Sequence, residues 1–442
     1  LTVPFLAKKD APVTVGTLKP GYEEVLSVMR ENFVHGWEPE GCNFAAYVDG
    51  ELVVDLWGGY ADKSCGRLWD AETLATFFSC SKALTAVTLA MQADRGRLRY
   101  TDTIDRYWPE FAQNGKQEIT VLQALQHQAG LQYLRHEDDT VAALGHEFLC
   151  NTELMDKLVQ IQKPIFTPGK VSIYHALTFG WILDGLMRRV DEKGRSVGEF
   201  LKEEIVAAHG LEDVFIGGTQ EVEYRIARIR SHTRSNRMVL MEWMCDMAAI
   251  SATAPIFYSP KSIFRKEIKN VNGAKDFELA NHPGTRKVGQ PAANGVGNAR
   301  NLAKVLDLFE AGKLCSRSIL DKLREPTIVG KYDPVLGSRV HKGHGFCYTK
   351  SPLGDWQYGH LGVGGQNLRT DTKRRITFAY ITNGMKAGQG EHTRTMKRLE
   401  AALYRSYQKV DKRPIDAHSV TELVIEDFNG NQKEDCTTIV VT

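Results

Sequence analysis

The spacing of apolar residues divides the chain into strand-like ends and a helical middle. Tyr22, Val25, Leu26, Met29 and Phe33 recur every three or four residues, which predicts an amphipathic helix over 19–35. Asn43 to Val48 and Glu51 to Trp57 flank Asp49-Gly50, a dipeptide suited to the left-handed conformations of a tight hairpin, so two antiparallel strands follow. An uncharged run from Ala83 to Met91 predicts an apolar helix, which Gly96 ends as a cap would. From Glu118 to about 255 the helical period dominates, with helices predicted over 119–127, 153–162, 177–190 and 197–208. Residues 256–300 lose that period and gain Gly, Asn, Lys and Pro. There Pro291, Asn294, Gly295 and Gly297 mark a loop ahead of a helix near 298–312. Strand patterns return at 343–349, 355–361 and 375–382, the last holding Ile376, Phe378, Tyr380 and Ile381. A helix over 391–409 follows, then a tail with weak strand character at 422–426 and 436–442.

A chain with strands at both ends and helices between them leaves a sheet, builds a second lobe and comes back. The expected fold class is α/β of the α+β kind: an antiparallel sheet flanked by helices, with an inserted all-helical lobe. The expected division is 1–115 and 291–410 for the two parts of the sheet lobe, 116–290 for the helical lobe with its irregular loop, and 411–442 for a tail. Such folds place their sites at the seam between lobes.

Composition narrows the functional classes. With 42% hydrophobic and 25% charged residues and a net charge of +2, the chain is of ordinary globular type and offers no basic surface for nucleic acid or an acidic membrane. No stretch reaches the roughly 18 apolar residues of a membrane span, and the start, Leu1 to Lys9, is too short an apolar run for a signal peptide. The eight cysteines lack metal-type or disulfide-framework spacing, which predicts free thiols in an intracellular setting, cytoplasmic or mitochondrial. G-x-S-x-G, the P-loop and H-E-x-x-H are all missing, so no cofactor or metal is expected. His136 beside Glu137, Asp138 and Asp139 reads as a solvated loop, and His127 as a structural histidine joining two segments. The sequence leaves the oligomeric state open.

The candidate chemistry begins at Ser79 and Lys82. Residues three apart share a helix face, so a hydroxyl in the first turn can meet the Lys82 ammonium while the unpaired N–H groups of the helix start face a developing oxyanion. The bland alternative is a helix cap with Lys82 on a solvated face. The same pattern recurs at Ser406 and Lys409, but there it closes a helix, where the dipole has the wrong sign. Tyr174 follows the Pro168-Gly169 turn and precedes a helix, which would let its phenol enter the seam, where a nearby cation such as Lys82 could lower its pKa. Its alternative is a packed boundary tyrosine. The glycine-dense run Tyr358 to Gln366 would let backbone N–H groups approach a substrate carbonyl, or else form a plain turn.

Taken in order, Ser79-x-x-Lys82, Tyr174 and His360-x-Gly362 resemble the three motifs of the serine β-lactamase and penicillin-binding protein superfamily. The likeness is to its class C-like branch, which also holds family VIII esterases, D-amino-acid peptidases and eukaryotic β-lactamase-like proteins. Leu125 to Leu131, Pro168-Gly169, Asn294-Gly295 ahead of Ala299-Arg300, and Gly362 to Gly365 add to the likeness, which spans about 20–405. The resemblance implies a β-lactamase/transpeptidase-like fold and an acyl-enzyme mechanism on a small ester or peptide. Ser79 would be the nucleophile, Lys82 and Tyr174 would share the proton traffic, and the backbone N–H groups of Ser79 and Val363 would form the oxyanion hole. His360, Gly362 and Gly364 would line the substrate cleft. Two departures stand out: Ala176 occupies the place of the family's common Asn, and His360 that of its common Lys. Both weaken recognition of a carboxylated lactam and favour an esterase or peptidase. A catalytically silent relative with a binding or assembly role is the alternative, and a true β-lactamase the third reading.

Overall fold

The computed structural model describes residues 14–231, 259, 262–271, 277–386, 390 and 393–410, together with the strand Glu422–Glu426. The strand predicted at 436–442 lies outside them. One large sheet organises the molecule. Its strands run in the order Glu422–Glu426, Thr14–Leu18, Glu51–Asp62, Gly41–Val48, Ile376–Thr382, Asn367–Asp371, Trp356–Leu361, Phe346–Lys350, Ser338–Gly343 and Ile328–Asp333, and Arg67–Leu68 pairs off this path with Glu51–Asp62. Every pairing is antiparallel. The early hairpin and the returning chain meet at the centre, where Phe44 faces Tyr380 and Ala46 faces Phe378.

The hairpin forms as its turn residues dictate. Asp49 and Gly50 both take positive φ, 52° and 85°, the conformation that matches the twist of two-residue hairpins. Alternation along the central strands then divides the core. Phe44, Ala46, Ile376, Phe378 and Tyr380 point to one face, where the helices Glu23–Val34 and Arg394–Val410 cover them with Val25, Met29, Phe33, Met396, Leu399 and Leu403. Ala45, Tyr47, Ala379 and Ile381 point to the other face, onto Ser81–Asp94 and Ala299–Glu310 and through them to the helices of the middle region. The helix Ser81–Asp94 is buried from Ser81 to Gln92, as a helix apolar all round must be.

Several strands escape the pattern reading, and those that position the site do so for physical reasons. Asn367–Asp371 is polar except for Leu368 yet wholly buried, because neighbours on both sides pair its backbone and its Arg and Asp side chains find partners inside. Ile328–Asp333 and Ser338–Gly343 form the outer edge, where mixed exposure blurs alternation. A second, three-stranded sheet joins Ala75–Phe78, Gly295–Gly297 and Val214–Ile216, so the loop expected around Gly295 is a strand, and the region expected to be all helical supplies one more. Glycine serves there for close approach: a Cβ on Gly295 would fall 2.0 Å from the Phe77 ring. Ser406 and Lys409 close the last helix as expected, with Ser406 buried and Lys409 paired to Glu24.

Candidate active site

Ser79 stands on the turn between the strand Ala75–Phe78 and the helix Ser81–Asp94. It precedes the cap residue Cys80 rather than lying inside the first turn, and a tight turn still carries the spacing to Lys82, whose backbone N–H donates to Ser79 O at 3.0 Å. Phe78, immediately before it, has φ +45°, a left-handed conformation that a bulky residue adopts only when the surroundings impose it. The sharp reversal leaves Ser79 partly exposed on the cleft wall while Cys80, Ser81 and Lys82 are buried.

Lys82 is fully buried, and its Nζ donates to Ala176 O at 2.7 Å and Ala292 O at 2.8 Å, with Ser79 Oγ at 3.4 Å. Burial pushes its pKa down to about 7, outweighing the opposite pull of Glu267, Cys347 and Cys80. Near neutrality the amine therefore sheds its proton readily. With its two N–H groups on the two carbonyls, the remaining tetrahedral direction holds a lone pair for Ser79. The Tyr174 ring lies 4.7 Å from Nζ, and its buried hydroxyl makes no well-formed hydrogen bond among the described residues, though the Ser79 hydroxyl is near enough to pull its pKa down. Burial is the larger effect and holds the phenol well above its ordinary value. The expectation that Lys82 would lower Tyr174 toward use as a base is thus reversed: desolvation penalises the phenolate and the ammonium alike, leaving a neutral phenol beside a neutral amine.

The segment carrying Tyr174 is clamped by residues that no local pattern announced. Asp333 Oδ2 accepts the Tyr174 N–H at 2.8 Å and pairs with Lys342 at 2.6 Å, both side chains being buried, and Lys342 also donates to Ser172 Oγ at 3.1 Å. Glu267 Oε1 accepts the Ala176 N–H at 3.0 Å. His127 packs its ring 4.7 Å from Tyr174 and its Nδ1 accepts the His175 N–H at 3.2 Å, which fits the structural role expected of it. Asp333 and Lys342 lie more than 150 residues along the chain from Tyr174, and a buried charge pair has no periodic signature.

The cleft in front of Ser79 has a volume of about 110 Å³ and is mostly apolar, with Phe78, Leu177, Phe264, Ile268, Phe277 and Leu361 among its walls. Ser79, Tyr174, Thr285 and Asn294 are the polar side chains on it, and among the described residues no Lys, Arg, His, Asp or Glu lines it. Val363 reaches this wall, whereas His360, Gly362 and Gly364, expected to line the cleft, lie behind or beside it. His360 is wholly buried behind it, with Nδ1 2.6 Å from Leu361 O and Nε2 3.6 Å from Cys347 Sγ, and burial drives its pKa well below the usual histidine value. Gly362 donates its N–H to Gln366 O at 2.8 Å, and Gly364 takes φ +80° with no room for a Cβ beside Met385. They form the turn on either side of Val363, which lines the same cleft as Ser79.

Among the described residues six cysteines are free, and no helix is long and apolar enough to cross a membrane. The family model described as Beta-lactamase matches residues 29–403. The chain is similar to the esterase/beta-lactamase LipL of Mycobacterium tuberculosis, at 28% identity over 359 residues, covering 78% of this chain and 77% of that one. It is also similar to a solved family VIII carboxylesterase, at 29% identity and a TM-score of 0.73 over 89% of this chain and 99% of the other. A penicillin-binding protein homolog from Caulobacter crescentus gives the same figures, 29% and 0.73 over 89% and 99%.

Proposed function

Because the chain belongs to the Beta-lactamase family, we propose that it is a serine hydrolase that cleaves an ester or amide through an acyl-enzyme on Ser79. The observation that carries this reading is the Lys82 amine, held by two backbone carbonyls with its third direction toward Ser79 Oγ at 3.4 Å. Neutral Lys82 takes the Ser79 proton as Oγ attacks the substrate carbonyl carbon, and the backbone N–H groups of Ser79 and Val363 receive the oxyanion. As the intermediate collapses, the proton leaves Lys82 by way of the Tyr174 hydroxyl and reaches the departing oxygen or nitrogen. Water then attacks the acyl carbon and gives up its proton along the same path in reverse to Lys82, which returns it to Ser79 Oγ as the acyl–Oγ bond breaks and the acid is released.

The cleft supports an esterase over an antibiotic lactamase. A carboxylate on the substrate would meet no counter-charge among the described lining side chains. Its desolvation there would go uncompensated. At about 110 Å³ the space is smaller than the roughly 150 Å³ cavity that holds a benzene, which suits an acyl group of a few carbons. The similarity to a family VIII carboxylesterase points the same way.

Labelling with a fluorophosphonate probe tests the reading. Wild type is expected to take one label that Ser79→Ala abolishes, and to hydrolyse a nitrophenyl ester of a short neutral acid faster than nitrocefin. Label that persists in Ser79→Ala would sink the assignment of the nucleophile, and faster nitrocefin turnover would make it a lactamase.

A further inference from the structure

We propose that Glu267 is a positioning residue for the catalytic lysine: it holds Ala176 by its N–H so that the Ala176 carbonyl holds Lys82 against Ser79. The inference rests on Ser79 and Lys82 acting as described above. Ala176 offers Lys82 nothing but its backbone. Nζ accordingly donates to Ala176 O at 2.7 Å. A backbone acceptor is only as well placed as the segment that bears it, and the stretch from Ser172 to Ala176 lies outside any helix or strand. It is held instead from the side: Tyr174 N–H by Asp333 at 2.8 Å and Ala176 N–H by Glu267 at 3.0 Å.

Glu267 is an unusual residue to find there. Its side chain comes from the helix Ile263–Lys269, whose Phe264 and Ile268 wall the cleft, while Glu267 itself is wholly buried behind them. Oε1 meets the Ala176 N–H, and Oε2 has no hydrogen-bond partner among the described residues. A position chosen for packing alone would hold an apolar side chain, since a buried carboxyl with one free oxygen is costly. The charged groups facing it are Lys82, Lys342 and Asp333, and burial, the largest influence, raises its pKa well above the ordinary value, toward the protonated form. What Ala176 needs from this residue is then an acceptor at the right reach rather than a negative charge.

Two substitutions separate reach from charge. Glu267→Gln keeps the acceptor and its distance but cannot ionise, whereas Glu267→Asp keeps the acid and withdraws the acceptor by one methylene. Rates on a neutral nitrophenyl ester, expressed per fluorophosphonate-titrated active site, are compared with thermal melts and the pH profile. The expectation is that Glu267→Gln retains kcat/KM within about threefold, and that its acid limb stays in place. Glu267→Asp loses about ten- to a hundredfold in kcat with KM little changed, the scale of effect expected when a catalytic group is misplaced by about 1 Å. Equal kcat per titrated site in both variants, with only the melting temperature lowered, would make Glu267 a core residue and overturn the proposal. So would the reverse order, with Asp active and Gln impaired. Should Glu267→Asp fail to fold, Glu267→Gln still decides, since a loss beyond tenfold there means that charge and not reach is required. If wild type takes no label at all, it is the hydrolase reading that has failed.

Discussion

If Lys82 is the general base, its proton must be gone before the enzyme can act, and the pH at which that happens is set by burial. The fall from 10.5 to about 7 corresponds to roughly 5 kcal/mol of preference for the neutral amine, at about 1.4 kcal/mol for each pH unit. At neutral pH an unshifted lysine would be neutral in only about one molecule in three thousand, against about half for this one, a gain of roughly a thousandfold in competent enzyme. For a neutral ester followed between about pH 5 and 10, kcat/KM should therefore rise through about 7 and fall roughly tenfold for each unit below it. The sign is that of a base: the protonated form is inactive, so activity is lost as pH falls. Of the described histidines, His127, His175 and His360 cannot imitate this limb, because burial drives His127 and His360 well below the usual value and His175 to about 3. Lys82→Arg places a cation that does not deprotonate in the same position, and the expected loss is about a hundredfold to ten-thousandfold, with the limb abolished. A flat profile in wild type, a limb displaced above about 9, or an unchanged limb in Lys82→Arg would refute the reasoning.

Tyr174→Phe removes a buried hydroxyl that makes no well-formed hydrogen bond among the described residues, so stability by thermal melt should change by less than about 0.5 kcal/mol while kcat falls about a hundredfold or more; an unaltered kcat would take Tyr174 out of the proton path. Lys342→Met leaves the Asp333 carboxylate buried and unpaired, and denaturant unfolding should report a loss of about 3–5 kcal/mol, with a loss under about 1 kcal/mol counting against the ion pair as the clamp on Tyr174.

Much of the sheet and most of the helices could be read along the chain because each has a face to bury. The hairpin around Asp49-Gly50, the helices Thr152–Ile161, Thr178–Val190 and Arg394–Val410, and the strand Ile376–Thr382 are all periodic, and periodicity is a local property. Asn367–Asp371 and Gly295–Gly297 could not be read, since what makes them strands is the neighbour on either side and not their own side chains. The candidate site divides in the same way. Ser79 and Lys82 lie three residues apart, so their meeting is a matter of one turn and was legible, and Tyr174 could be named from motif order.

What the residues along the chain determined by themselves is the set of reactive groups and the elements that carry them. Which proton each group holds was decided by the tertiary structure. Lys82 is brought down to a pKa of about 7, Tyr174 stays protonated and His360 is held neutral behind the cleft because packing removes water from all three. Desolvation depends on every element that closes over a group, here the strands at 328–343, the helix Ile263–Lys269 and the turn at Ala292. No local pattern of residues carries that information.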